Sequence, residues 1–211
     1  MSAVMVAILI GLGVWQLHRL AWKQGLLAQI AAAESAPAVK LPTNPPPFAK
    51  VAVQGRWAEV SARYGAEVRH TPAGDKMGAF LLTPLLRDDG PPLLVDRGWL
   101  PDDAPTPPPG EASVEGYLHP AEHAGWLSPP DDPAKRRFYT LDPAGIGAAL
   151  GVAGPAPYTL VVLGPPGGSP APAQTLPRPP NDHLSYALTW FGLAGVLLVV
   201  FTLYARKVLR A

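Results

Sequence analysis

The residues in this chain that could do chemistry are few, because its five histidines are accompanied by no cysteine. His119-Pro-Ala-Glu122-His123 spells H-x-x-E-H, a pattern that in zinc peptidases sets two imidazoles one helical turn apart around a catalytic carboxylate. Pro120 works against it. The residue before a proline is pushed out of the right-handed helical region, so His119 and His123 are not expected on one helix, and no third ligand stands out downstream. A solvated loop is the better reading. Asp182, His183 and Ser185 supply the letters of a hydrolase triad, but neighbours on a helix point about 100° apart and cannot pass a proton along a line. There is no G-x-S-x-G, phosphate-binding glycine loop or pair of catalytic carboxylates, and 74–78 (GDKMG) is an ordinary turn sequence. Catalysis is not expected.

A different grouping carries more weight. His183, Tyr186, Ala187 and Trp190 follow the spacing i, i+3, i+4, i+7 and so share one face of a helix. Trp15, Gln16 and His18 close an earlier apolar segment, and a two-helix hairpin brings them to the same end as His183. A neutral imidazole among flat aromatic rings at an apolar interface can serve as axial ligand to a membrane-soluble haem. His183 is the candidate metal ligand, with Tyr186, Trp190 and His18 as candidate cofactor contacts and His18 as a possible second axial group. Two alternatives stand beside this one. Tyr and Trp gather at membrane interfaces anyway and an interfacial His can bond to lipid or water, while Gln16, His18 and Arg19 could meet a partner protein.

Those residues need elements to hold them. Residues 1–17 carry no charge, and neither do residues 184–204, which as a helix reach about 32 Å, enough to cross a bilayer. Nothing basic precedes Ile10, as a cleaved signal peptide would require, so an uncleaved anchor is expected at the N-terminus. Ala3, Ala7 and Gly11 recur at every fourth position and predict a smooth stripe for helix contact. Arg206, Lys207 and Arg210 form a compact basic tail, which places both termini inside and the intervening domain outside, on the periplasmic or intermembrane-space side.

Composition excludes much else. Without cysteine there is no iron–sulfur cluster, thiolate metal site, disulfide or covalently attached c-type haem. A net charge of +1 with no basic stripe argues against nucleic acid as a partner. The 28 prolines and 21 glycines make the chain loop-rich between its apolar ends.

The expected plan is a membrane protein: a first transmembrane helix over 1–20, a helical stalk and Pro-rich linker over 21–47, and a β-rich extramembrane domain over 48–164. A Pro-rich linker over 165–182, a second transmembrane helix over 183–205 and a basic tail over 206–211 follow. Seven short runs separated by turn residues (50–57, 64–70, 79–86, 93–100, 113–118, 137–141 and 158–163) predict a mainly antiparallel sheet or small barrel of α+β type. Asp88-Asp89-Gly90 marks the clearest hairpin turn. One short helix is predicted over 142–150, with Asp142 as cap and Pro143 at its first position. Residues 101–110 and 164–180 are expected as extended spacers because proline cannot donate to a ladder. Asn181 and Asp182 are candidate caps for the second membrane helix.

Three separated motifs resemble the Surfeit locus protein 1 family of cytochrome oxidase assembly factors. Gly13-Val-Trp15-Gln16-Leu17-His18-Arg19-Leu20-Ala21-Trp22-Lys23 is similar to its opening G-x-W-Q-L-x-R-x-x-W-K signature. Leu93-Leu94-Val95-Asp96-Arg97-Gly98-Trp99-Leu100-Pro101 is similar to its L-V-N-R-G-W-V-P strand, with Asp96 where Asn is usual. Residues 181–194 (NDHLSYALTWFGLA) are similar to its closing N-N-H-L-x-Y-A-x-T-W-F-x-L-A, with Asp182 for the second Asn. The resemblance implies a non-enzymatic protein of the respiratory inner membrane that matures haem–copper oxidase, holding haem a on its way to the catalytic subunit, with His183 as ligand. Its implied partners are that subunit and the haem a synthesis machinery. A scaffold that meets oxidase subunits through the β domain without ligating haem is the alternative. Asp182 could strengthen a hydrogen bond of the neighbouring imidazole. Arg97-Gly98-Trp99 is read as a strand whose glycine accommodates a bulge, rather than as a docking surface.

Overall fold

The structure is a computed structural model that describes residues 2–72 and 74–210. It divides into two compact units, one made of residues 1–32 with 177–211 and the other of residues 33–176.

In the first unit, α1 (Ser2–Ser35) and α3 (His183–Leu209) are long and apolar enough to cross a membrane. With 34 and 27 residues they measure about 51 and 40 Å. α1 stops at Ser35, where the proline-rich segment begins. The predicted Ala3, Ala7 and Gly11 stripe is not the contact face: all three are exposed, and over the same stretch the less exposed positions are Val6, Leu9, Leu12, Gly13, Gln16 and Leu20. Apart from Leu12, these alternate in steps of three and four. A strict four-residue repeat drifts about 40° per step around the helix, whereas the alternating one stays on a facing partner. On α3, His183, Ala187, Trp190, Phe191, Ala194, Leu197 and Ala205 are the less exposed positions.

The second unit is built from strands β1 (Val39–Lys40), β2 (Lys50–Trp57), β3 (Ala62–Thr71), β4 (Gly74–Leu86), β5 (Leu93–Pro101), β6 (Glu111–Pro120), β7 (Arg137–Phe138) and β8 (Tyr158–Val162), with helix α2 (Pro143–Ala149) before β8. Five of them close on themselves in the order β2-β6-β8-β5-β4, the ring completed by Arg56↔Leu86 and Trp57↔Leu85 between β2 and β4. All the barrel pairings are antiparallel except β5 with β8. The sheet is thus mainly antiparallel and the domain a small barrel with a short helix.

β5 explains much of the packing. Leu93 and Val95 join Val51, Val53, Trp57, Leu85, Leu118, Ala156 and Leu160 in one core cluster. Leu94, between them, joins Leu82, Phe138, Leu141, Ile146 and Leu150 in a second cluster, where α2 covers the sheet. Successive strand residues point to opposite faces, so a strand covered on both sides reads as an unbroken apolar run. Asp142 caps α2, its carboxylate accepting from Ala144 N–H and Gly145 N–H, both at 3.1 Å.

Two segments read as plain spacers do more. Val39 and Lys40, inside the first proline-rich linker, pair in parallel with Val51 and Ala52. Between the later prolines, Ala171 N–H donates to Trp99 O at 2.7 Å and Ala173 N–H to Val162 O at 3.0 Å. Proline lacks an N–H, but an alanine set between two of them keeps its own.

Candidate functional site

His183 opens α3, and its imidazole reaches the face of α1 that carries Gln16. Nδ1 of His183 lies 2.7 Å from Oε1 of Gln16, joining residues far apart in the chain. An amide oxygen can only accept, so Nδ1 carries the proton and donates it. In a neutral ring that leaves the lone pair on Nε2, which has no hydrogen-bond partner among the described residues. Metal-ligating histidines are held in this way, the second nitrogen donating to an oxygen that fixes the tautomer, orients the ring and raises its basicity.

The close approach that permits the bond is set one turn earlier on α1. Gly13 lies under the ring of Phe191, where a Cβ would come within 2.5 Å of the ring edge. Gln16 is itself buried, so its amide is withdrawn from solvent and reserved for His183. Two residues before His183 in the chain, Asn181 Oδ1 is buried without a partner. Asp182 makes no side-chain cap to α3; the N-terminus is closed through the backbone, with Tyr186 N–H donating to Asp182 O at 3.2 Å. The imidazole bond that Asp182 was expected to strengthen goes to Gln16.

Of the other expected cofactor contacts, Trp190 is half-buried on the same face as His183. Tyr186 is exposed at the edge of that face. His18 is exposed and stands two residues after Gln16, about 200° around α1, so the pair of helices does not bring the two imidazoles together. The residues present fit a haem held at His183: a tautomer-fixed imidazole with an unengaged nitrogen, and a half-buried Trp190 on the same helix face. Sequence reasoning had Gln16 at the end of a span over 1–20, whereas α1 runs on to Ser35 and places it mid-helix, and it did not make Gln16 the partner of His183. Only the three-four spacing of Val6, Leu9, Gly13 and Gln16 carries that signal.

Two of the H-x-x-E-H residues, His119 and Glu122, are engaged in the fold. His119 Nδ1 donates to Pro120 O at 2.8 Å. Glu122 accepts from Tyr64 O–H at 3.2 Å and from Leu141 N–H at 3.0 Å. Burial and that carboxylate push the Tyr64 phenol up to about 12. Among the described residues no group of three His, Asp and Glu could hold a metal ion.

The central strand motif is likewise built into the fold. Arg97 stacks over Trp57 at 4.4 Å, and Asp96 Oδ1 accepts from Gly98 N–H at 2.8 Å. Trp99 N–H of the indole donates to Glu67 O at 3.2 Å. Arg69, held by both oxygens of Glu67 at 3.0 and 3.1 Å, lies over the rings of Phe80 and Trp99. The register slips between Phe80 and Leu82 opposite this motif, the bulge that the glycine was expected to accommodate.

Residues 3–195 match the SURF1 family. The chain belongs to this family. A SURF1-like protein of Rickettsia bellii is 30% identical, over 95% of this chain and 88% of its own. A SURF1-like protein of Monosiga brevicollis is 29% identical, over 93% and 83% respectively. Surfeit locus protein 1 of Homo sapiens is 27% identical, over 95% of this chain and 74% of its own. SURF1 relatives thus occur in bacteria and in animals, and the family match runs from α1 through the barrel into the first half of α3.

Proposed function

We propose that this SURF1-family protein is an assembly factor for haem–copper cytochrome c oxidase that binds haem a through Nε2 of His183 and passes it to the catalytic subunit, without itself turning over a substrate. The observation that carries the reading is the 2.7 Å bond from His183 Nδ1 to Gln16 Oε1. Haem a, when bound, would supply an iron able to accept an imidazole lone pair. His183 presents that lone pair, Gln16 fixes which nitrogen carries it, and Trp190 offers an aromatic surface on the same helix face. α1 and α3 anchor the chain in a bacterial or mitochondrial inner membrane, with both termini inside and the barrel on the periplasmic or intermembrane-space side. The basic end of α3, with Arg206 and Lys207 in its last turn, supports that orientation. The partners are the oxidase catalytic subunit and the enzymes that make haem a.

The test is oxidase maturation in a host that lacks its own SURF1-family protein, read as haem a per assembled oxidase. Wild type is expected to restore it. His183→Ala should remain near the level of the empty host, and Gln16→Leu should fall between, because loss of an outer hydrogen-bond partner typically weakens ligation about 10-fold or more. Full restoration by His183→Ala would leave a scaffold acting through the barrel surface.

A further inference from the structure

The loop between β6 and β7 carries its most apolar residues at its tip. Residues 125–128 form a turn in which Ser128 N–H donates to Gly125 O at 3.0 Å, and Gly125 N–H donates back to Ser128 Oγ at 2.9 Å. The two central positions are Trp126 and Leu127, 93% and 75% exposed. Turn centres ordinarily hold Gly, Asn, Asp, Pro or Ser, and a tryptophan left almost wholly in water carries a large unfavourable apolar surface.

Both roots of the loop are held. At one, Glu122 takes Leu141 N–H and Tyr64 O–H. At the other, Asp131 Oδ1 accepts from Tyr139 N–H at 2.6 Å and Thr140 N–H at 3.2 Å. The carboxylates that flank the tip are therefore turned back into the domain. Between them, residues 123–130 (HAGWLSPP) are all exposed and include no Asp, Glu, Lys or Arg.

We infer that the Trp126-Leu127 tip is a third membrane contact, inserting into the headgroup and upper acyl region of the bilayer that holds α1 and α3. Tryptophan favours that zone, where its ring is buried and its N–H stays hydrated. No charge has to be desolvated for the tip to enter it. The barrel unit is also tethered to that bilayer, since its chain runs unbroken into α1 and joins α3 through residues 177–182. The inference rests on α1 and α3 being membrane spans and is independent of haem.

The chain has no cysteine, so a single introduced thiol reports one site. Full-length Leu127→Cys, labelled with an environment-sensitive fluorophore, is reconstituted into phosphatidylcholine vesicles with and without lipids bearing a nitroxide on the upper acyl chain. The expected result is a blue-shifted emission quenched several-fold more than that of the same label at Asp75→Cys in the β3–β4 hairpin, with the excess lost in Trp126→Asp. Flotation with the vesicles should be unchanged in both variants, since the spans alone secure it. An unquenched, water-like emission at position 127 overturns the inference, as does a blue shift that appears only when oxidase subunits are added, which would make the tip a protein contact. Failure to float with vesicles would instead contradict the spanning helices.

Discussion

Gly98→Ala is expected to lower the melting temperature of the barrel by about 10 °C or more, or to prevent the chain from accumulating. Gly98 sits at φ +114, and a Cβ there would lie 2.1 Å from Ala171 O, 2.4 Å from its carbonyl carbon and 2.7 Å from Pro172 N. These are backbone atoms, so no side chain can swing aside. Relief requires moving the 171–172 segment, which breaks the paired bonds Trp99 N–H to Ala171 O at 2.8 Å and Ala171 N–H to Trp99 O at 2.7 Å. Backbone strain of about 1–3 kcal/mol and two lost hydrogen bonds at about 1 kcal/mol each make a substantial fraction of a domain's net stability of roughly 5–15 kcal/mol. Thermal melts of the purified full chain, followed by near-ultraviolet circular dichroism, measure it. A drop of only a degree or two would mean that residues 171–172 do not hold that position.

Asp96→Asn should do the opposite, in a pH-dependent way. Asp96 is 6% exposed, and burial pushes its carboxyl up to about 7 from an ordinary 3.8, although the Gly98 N–H and the charge of Arg69 pull it down. Between about pH 4 and 7 the folded chain keeps a proton there that the unfolded chain has released. Stability from this group is therefore greatest at the acid end of that window, falls as pH rises through it, and levels off above about 7. Asparagine keeps an oxygen for Gly98 N–H and has no charge to bury. The variant is expected to match wild type near pH 4 and to exceed it near pH 8 by roughly 2–4 kcal/mol, from about 1.4 kcal/mol per pKa unit over some three units. Denaturant unfolding at the two pH values checks this. Parallel pH profiles for the two proteins would show that Asp96 is solvated.

What the sequence made legible was local. The end of α1 at Ser35 follows from the prolines after it, the β4–β5 turn from Asp88-Asp89-Gly90, and the α2 cap from Asp142-Pro143. Barrel closure was not legible, because it depends on Arg56 and Trp57 meeting Leu86 and Leu85 in a register that no local pattern specifies. The choice between a small-residue stripe at Ala3, Ala7 and Gly11 and the true α1 face was ambiguous for a related reason: in a helix apolar all round, no polar side marks which stripe faces a partner. Ala171 and Ala173 were hidden by the prolines around them. At the site, His183 and Trp190 could be placed on one face from their spacing. The role of Gln16 could not, since it arises only where two distant helices approach at Gly13 and Phe191.

The account stands most directly on one spectrum. The full chain is made in a host that synthesises haem A, purified in mild detergent as wild type and as His183→Ala, and recorded reduced minus oxidised, with circular dichroism confirming that both are folded. The bond from His183 to Gln16 predicts a haem a band in wild type that is lost or shifted in His183→Ala. A band identical in the two proteins, or absent from both despite ample haem A, would contradict it.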